Sequence, residues 1–121
     1  MVLGSFEGYL SFSTIASSAG TVIKASPGRV FGWSFHTIDA TPVYVKLYDS
    51  TVAPSSGSTP KVRVAVAGST TVGNGPQSVF GPGDEGIYFS SGISYIVVTG
   101  LVDNSTLPVT ANETLVNIFY R

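Results

Sequence analysis

Cysteine is absent from the 121 residues, which excludes disulfides and thiolate chemistry and leaves the redox compartment open. Charge is scarce. Six basic and seven acidic side chains make up 11% of the chain, against about 25% in an ordinary soluble domain. The cations Lys24, Arg29, Lys46, Lys61, Arg63 and Arg121 are scattered and the net charge is −1, so phosphate neutralisation has no footprint and nucleic-acid binding is not expected. Mean hydropathy is positive, +0.33, yet no apolar run is long enough for a membrane helix. Met1-Val2-Leu3 lacks the basic and apolar regions of a secretory signal. Helical periodicity is missing throughout, which points away from any α-containing class.

What remains is strand pattern punctuated by turn formers. Tyr9–Ala16, Thr21–Ala25, Lys61–Val66, Ile87–Phe89, Gly92–Thr99 and Thr114–Tyr120 read as strands, and Gln77–Phe80 fits a short one. The densest stretch is Arg29–Tyr48. Within it, alternation places Phe31, Trp33 and Phe35 on one face and Ser34 and His36 on the other, and sets Val43, Val45 and Leu47 against Tyr44, Lys46 and Tyr48. Asp39 and Pro42 punctuate it, predicting an antiparallel pair whose shared inner face carries Trp33, Phe35, Val43, Val45 and Leu47. Lys61–Val66 alternates with valines inward and two charges outward, as an edge strand does. Thr114–Tyr120 is apolar on both faces apart from Asn117, which predicts a central strand or one covered by a neighbouring subunit. About eight strands separated by long polar loops, at 49–60, 67–86 and 100–113, predict a single domain over 1–121. Its class is an all-β, antiparallel, jelly-roll-like β-sandwich, with 1–8 as an arm or swapped edge.

Some of these residues also carry a family resemblance. Phe31-Gly32-Trp33, the run Ala40-Thr41-Pro42-Val43-Tyr44-Val45-Lys46-Leu47-Tyr48, Gly92-Ile93-Ser94 with Val98-Thr99-Gly100, and Val116-Asn117-Ile118-Phe119-Tyr120-Arg121 resemble capsid decoration (cement) proteins of tailed bacteriophages. The similarity spans roughly residues 20–121. The resemblance implies a jelly roll on the virion surface, bound to the major capsid protein, and no catalytic residues or cofactors. A homotrimer is the expected form. Low charge density fits an exterior partly buried against other subunits. Ser and Thr, about a quarter of the chain, offer the other explanation by supplying polarity without charge.

Candidate chemistry is thin. His36 is the only histidine and has no partner at ligand or general-base spacing, so it reads as a surface or interface side chain. Apart from Glu7, the carboxylates Asp39, Asp49, Asp84, Glu85, Asp103 and Glu113 fall in predicted loops or turns, where a facing glycosidase pair is not indicated. Asp103-Asn104 with Asn112-Glu113 supplies oxygens but not the spacing of a calcium loop. Asn104-Ser105-Thr106 and Asn112-Glu113-Thr114 match the glycosylation pattern, which means little without a signal segment. Outward aromatics are more informative: Tyr44, Tyr48, Tyr88, Tyr95 and Phe119 are the candidate interface residues, because amphipathic rings suit protein contacts. The same rings suit sugar stacking, so a tail-fibre or receptor-binding module is the alternative.

Overall fold

The computed structural model describes residues 20–54, 58–68, 85–105, 109 and 113–121 in full, and the backbone of 10–15 and 77–80. The described strands are β1 (Leu10–Ile15), β2 (Thr21–Lys24), β3 (Gly28–Thr37), β4 (Val43–Asp49), β5 (Val62–Val66), β6 (Gln77–Phe80), β7 (Ile87–Phe89), β8 (Ile93–Val98) and β9 (Thr114–Tyr120). Four nested antiparallel pairings describe one long folded ribbon: β1 with β9, β2 with β8, β3 with β6 and β7, β4 with β5. Rolling that ribbon adds β3 against β9 and β4 against β8. The result is a five-stranded sheet, β1-β9-β3-β6 with β7 also on β3, facing a four-stranded sheet, β2-β8-β4-β5. This is the winding of a jelly roll. Strands β6 and β7 divide one position in the roll, since β6 lies along Trp33–His36 and β7 along Gly28–Val30.

The predicted pairing of 30–37 with 43–48 does not occur. β3 belongs to the five-stranded sheet and β4 to the four-stranded one. The inner-face residues are nevertheless those expected: Trp33, Phe35, Val43, Val45 and Leu47 are all buried in one core cluster, joined by Val30, Ile93, Val97, Val116 and Ile118. Alternation dictates which side chains point inward, and it does so equally for strands that hydrogen-bond and for strands that stack across a sandwich. The connection between them turns from one sheet to the other. The Asp39 N–H donates to Thr37 Oγ1 (3.1 Å), and Asp39 Oδ1 accepts from the N–H (3.0 Å) and hydroxyl (2.9 Å) of Thr41, a side-chain-built turn that releases the chain from the ladder.

Side by side on the inner face of β3, Trp33 and Phe35 stack with ring centroids 5.9 Å apart. Fully burying a large apolar side chain contributes about 1.5–3 kcal/mol, so the facing layers dominate the fold's stability. At the end of β3, Thr37 and Thr114 are paired in register and their buried hydroxyls lie 3.2 Å apart, a cross-strand hydrogen bond that satisfies both. β5 is an edge strand with Arg63 outward, as its charges predict, and β9 is central, between β1 and β3. The expected arm at 1–8 and most of the 67–86 loop lie outside the described residues.

Candidate functional site: the open face of the five-stranded sheet

The two outer faces of the sandwich differ. On the four-stranded sheet, Tyr44, Lys46 and Tyr48 point away from the core, as alternation requires. Yet Lys46 is only 1% exposed and Tyr48 4%, and their neighbours Ser94 and Val98 are fully buried. Part of the cover is the connection after β8. Lys46 Nζ donates to the Val102 carbonyl (2.6 Å), and Arg63 grips Asp103 through two hydrogen bonds of 2.8 and 2.7 Å. Burial pushes the Lys46 amine below its ordinary pKa, with Asp103 acting in the opposite sense and Arg63 adding to the depression.

Tyr48 is therefore a packing residue within its own chain and not a surface aromatic. The periodicity is right, but a loop, not solvent, occupies that side. Tyr95 is corrected for a different reason. It is 2% exposed and belongs to the core cluster. Both faces of β8 are apolar, so the pattern does not choose between them. Packing turns Tyr95 inward, opposite Leu47, where its hydroxyl bonds with Thr21 on the adjacent β2. Tyr44 stays half-buried on the outer side of β4.

The outer face of the five-stranded sheet carries the remaining two candidates. Val116 and Ile118 of β9 are buried, which turns Leu115, Asn117 and Phe119 outward. Leu115 is 39% exposed and Phe119 42%; Tyr88 on β7 is 48% exposed. The register builds this face in rows. Tyr88 lies beside Arg29, and Arg29 beside Arg121, whose backbones exchange two hydrogen bonds of 2.9 Å. Next, the register shift between Val30 and Gly32 sets Phe31 and Gly32 against Phe119. Ser34 then faces Asn117, and His36 faces Leu115.

The register shift explains why Phe31 leaves the inner face that simple alternation gives it. A β-bulge adds one residue and resets the phase, so Val30 and Trp33 both point into the core while Phe31 is half-buried beneath Arg121, whose guanidinium carbon lies 5.5 Å from its ring centre. Arg29 lies 4.9 Å over the Tyr88 ring and donates Nη1 to the Glu85 carbonyl (3.1 Å). Sequence reasoning missed Phe31, Arg29, Arg121 and Leu115 as members of this face. The available signal was Leu115-Asn117-Phe119 in a single phase; the bulge had none beyond Gly32.

The described aspartates are occupied with structure. Asp39 makes the turn above and Asp103 holds Arg63. Asp49 accepts the N–H groups of Ser90 (3.0 Å), Ser91 (2.7 Å) and Gly92 (3.3 Å) and the Ser90 hydroxyl (2.9 Å). Partial burial alone would raise the Asp49 pKa, but these donors, the Ser91 and Ser90 amides foremost, outweigh it and hold the carboxyl at about 2. No cluster of metal-ligating side chains occurs among the described residues, and Asn112 of the calcium reading lies outside them. A groove of about 320 Å³ beside the 49–60 loop is lined by Tyr48, Ser50, Pro54, Ser58, Thr59 and Lys61, among others. Fold and faces thus define a jelly-roll sandwich whose four-stranded sheet is partly covered on its outer side and whose five-stranded sheet, among the described residues, exposes Tyr88, Leu115 and Phe119 on its own. The sequence matches no protein-family model and no curated protein.

Proposed function

We propose that the chain is a non-enzymatic assembly protein that decorates a phage capsid, seated on the major capsid protein through the open face of its five-stranded sheet. The observation that carries this reading is the exposure of Tyr88, Phe119 and Leu115 together on the outer side of the five-stranded sheet, while the outer side of the four-stranded sheet is partly covered by the chain's own connection after β8. Rings and aliphatics set at the centre of a face, with polar neighbours such as Ser34 and Asn117, have the make-up of a protein contact. The low charge of the chain and its resemblance to decoration proteins support the same reading. The described aspartates Asp39, Asp49 and Asp103 are engaged in a turn, in loop amides and in an ion pair. As a homotrimer, three copies of a modest contact would add up across neighbouring capsomers.

The test is sedimentation of the purified chain with empty heads assembled from the major capsid protein of the same virion. Saturable binding of hundreds of copies per head, with heads that then resist heating, is expected. A handful of copies, or none, would end the proposal. The alternative, a tail-fibre or receptor-binding module, is favoured by the hydroxyl-lined groove beside 49–60. Glycan binding lost on Thr59→Ala at unchanged stability, with no affinity for heads, would select it.

A further inference from the structure

We infer that the connection after β8 is a strap latched by charge: Asp103 holds residues 100–105 against β4 and β5, and neutralising its carboxylate lets the strap lift and bares Lys46. The latch lies on the four-stranded sheet and is independent of the decoration reading. The excursion is pinned at both ends, by Val98 and by Val109 of the core cluster. Between them, none of residues 99–105 is buried, and Leu101 and Val102 are 60% and 64% exposed. The strap therefore gains little from apolar burial at those two side chains. Polar contacts carry it across the sheet: Lys46 Nζ donates to the Val102 carbonyl, and Arg63 donates Nε and Nη2 to the Asp103 carboxylate. Asn104 and Ser105 make further contacts, which a change at Asp103 alone leaves in place.

Electrostatics single out Asp103 as the latch. Lys46 and Arg63 are directly opposed on β4 and β5, a like-charge pair that sheets ordinarily avoid. Lys46 is also 1% exposed, so its ammonium has lost its water. Lys46 and Tyr48 on β4 and Arg63 on β5 are the titratable groups that feel Asp103, and Tyr44 is the remaining one on the outward side of β4. Burial lowers the Lys46 pKa and raises that of Tyr48; Asp103 raises both and Arg63 lowers both. Without the carboxylate, a dehydrated ammonium stands beside a guanidinium. Lifting the strap returns water to Lys46 and relieves that penalty. The Asp103 carboxyl is itself held below its ordinary 3.8, chiefly by the Arg63 hydrogen bonds. The latch is therefore whole above pH 3.8 and is released as pH falls through the lowered value.

The experiment compares the full chain as wild type, as Asp103→Asn, and as the charge swap Arg63→Asp with Asp103→Arg. Amine acylation and hydrogen exchange are both read on peptides by mass spectrometry at neutral pH. In Asp103→Asn, acylation of Lys46 is expected to rise about tenfold relative to Lys24. Amides of 100–105 should exchange faster while those of β3 and β9 stay protected, which marks local opening and not unfolding. The swap sets a carboxylate between two cations again, so Lys46 acylation and 100–105 exchange should return toward the wild-type rates. Lys46 acylation unchanged in Asp103→Asn, or a strap that the swap leaves open, would overturn the inference. Should Asp103→Asn fail to fold, the wild type is followed by NMR as pH is lowered. Below pH 3.8 the amide resonances of 101–105 should leave their native positions before those of β9. Simultaneous loss of both sets would overturn the inference equally.

Discussion

Lys46 and Arg63 are directly opposed on β4 and β5, two cations side by side, and the connection after β8 brings the Asp103 carboxylate to them. Exposed ion pairs contribute little on their own. The larger effect is on Lys46, whose amine is out of water and whose charge Asp103 helps to hold. Asp103→Ala should therefore lower the melting temperature, because it leaves a buried cation beside another cation. Lys46→Met should be neutral or stabilising, since an apolar side chain of similar length removes the desolvation cost. In the double variant the loss from Asp103→Ala should shrink. Thermal unfolding of the four proteins measures that coupling, and additive effects would show that the two residues act independently.

The same amine makes a pH prediction. Its folded pKa lies below the ordinary 10.5, so in the window between the two values the unfolded chain binds more protons. Stability attributable to Lys46 then rises with pH across that window. Denaturant titrations of wild type and Lys46→Met in the alkaline range should converge as pH approaches 10.5; curves that stay parallel would contradict it.

Asp49 behaves oppositely. Its carboxyl is held at about 2 against an ordinary 3.8, so its contribution is fully present above 3.8 and is lost as pH falls toward 2. Asp49→Asn keeps the shape but loses the charge that the Ser90, Ser91 and Gly92 amides bind. A loss of about 1–3 kcal/mol near neutral pH is expected from replacing charge-assisted hydrogen bonds in a partly solvated site. The variant should also lack part of the wild type's acid-induced destabilisation, as chemical denaturation across that pH range would show.

Gly86 sits at φ +66°, and a Cβ there would meet the Val30 carbonyl at 2.6 Å and the Phe31 ring at 3.0 Å. Gly86→Ala combines backbone strain with a clash against the strand it must lie beside. It should cost roughly 1–3 kcal/mol and disturb the seat of Phe31 on the open face. Equilibrium unfolding measures the first effect and the amide shifts of residues 29–33 the second. An unchanged protein would mean that the β7 entry relaxes freely.

These residues also mark what the sequence made legible. The class, the edge position of β5, the central position of β9 and the inward set of β4 and, Phe31 apart, of β3 follow from period-two alternation, because side-chain direction is a local property. Pairing is not local. Nothing in Arg29–Tyr48 states whether two apolar faces share a sheet or meet across a core, and the hairpin reading failed there. Outward direction was likewise mistaken for exposure at Tyr48, because the connection after β8 is fastened to that side through Lys46, whose partner is the Val102 backbone carbonyl, and any residue type supplies one. The arginine pair was invisible for a related reason: Arg29 and Arg121 are far apart in the chain and meet only through the register of β3 with β9.

Strand β9 offers the sharpest contrast between core and face, since adjacent residues have opposite roles. Ile118 is fully buried between the sheets, and Phe119 is 42% exposed on the open side. Ile118→Ala should cost about 2–5 kcal/mol, the usual range for truncating a packed aliphatic, and reduce head binding only in proportion to the fraction unfolded. Phe119→Ser should change stability by no more than about 0.5 kcal/mol, yet abolish most of the head binding if the ring is an anchor of the contact. Urea unfolding and head sedimentation on the same two preparations separate these outcomes. A Phe119→Ser protein that is stable and still binds heads like the wild type would remove this face from the decoration proposal, whatever its hydrophobicity.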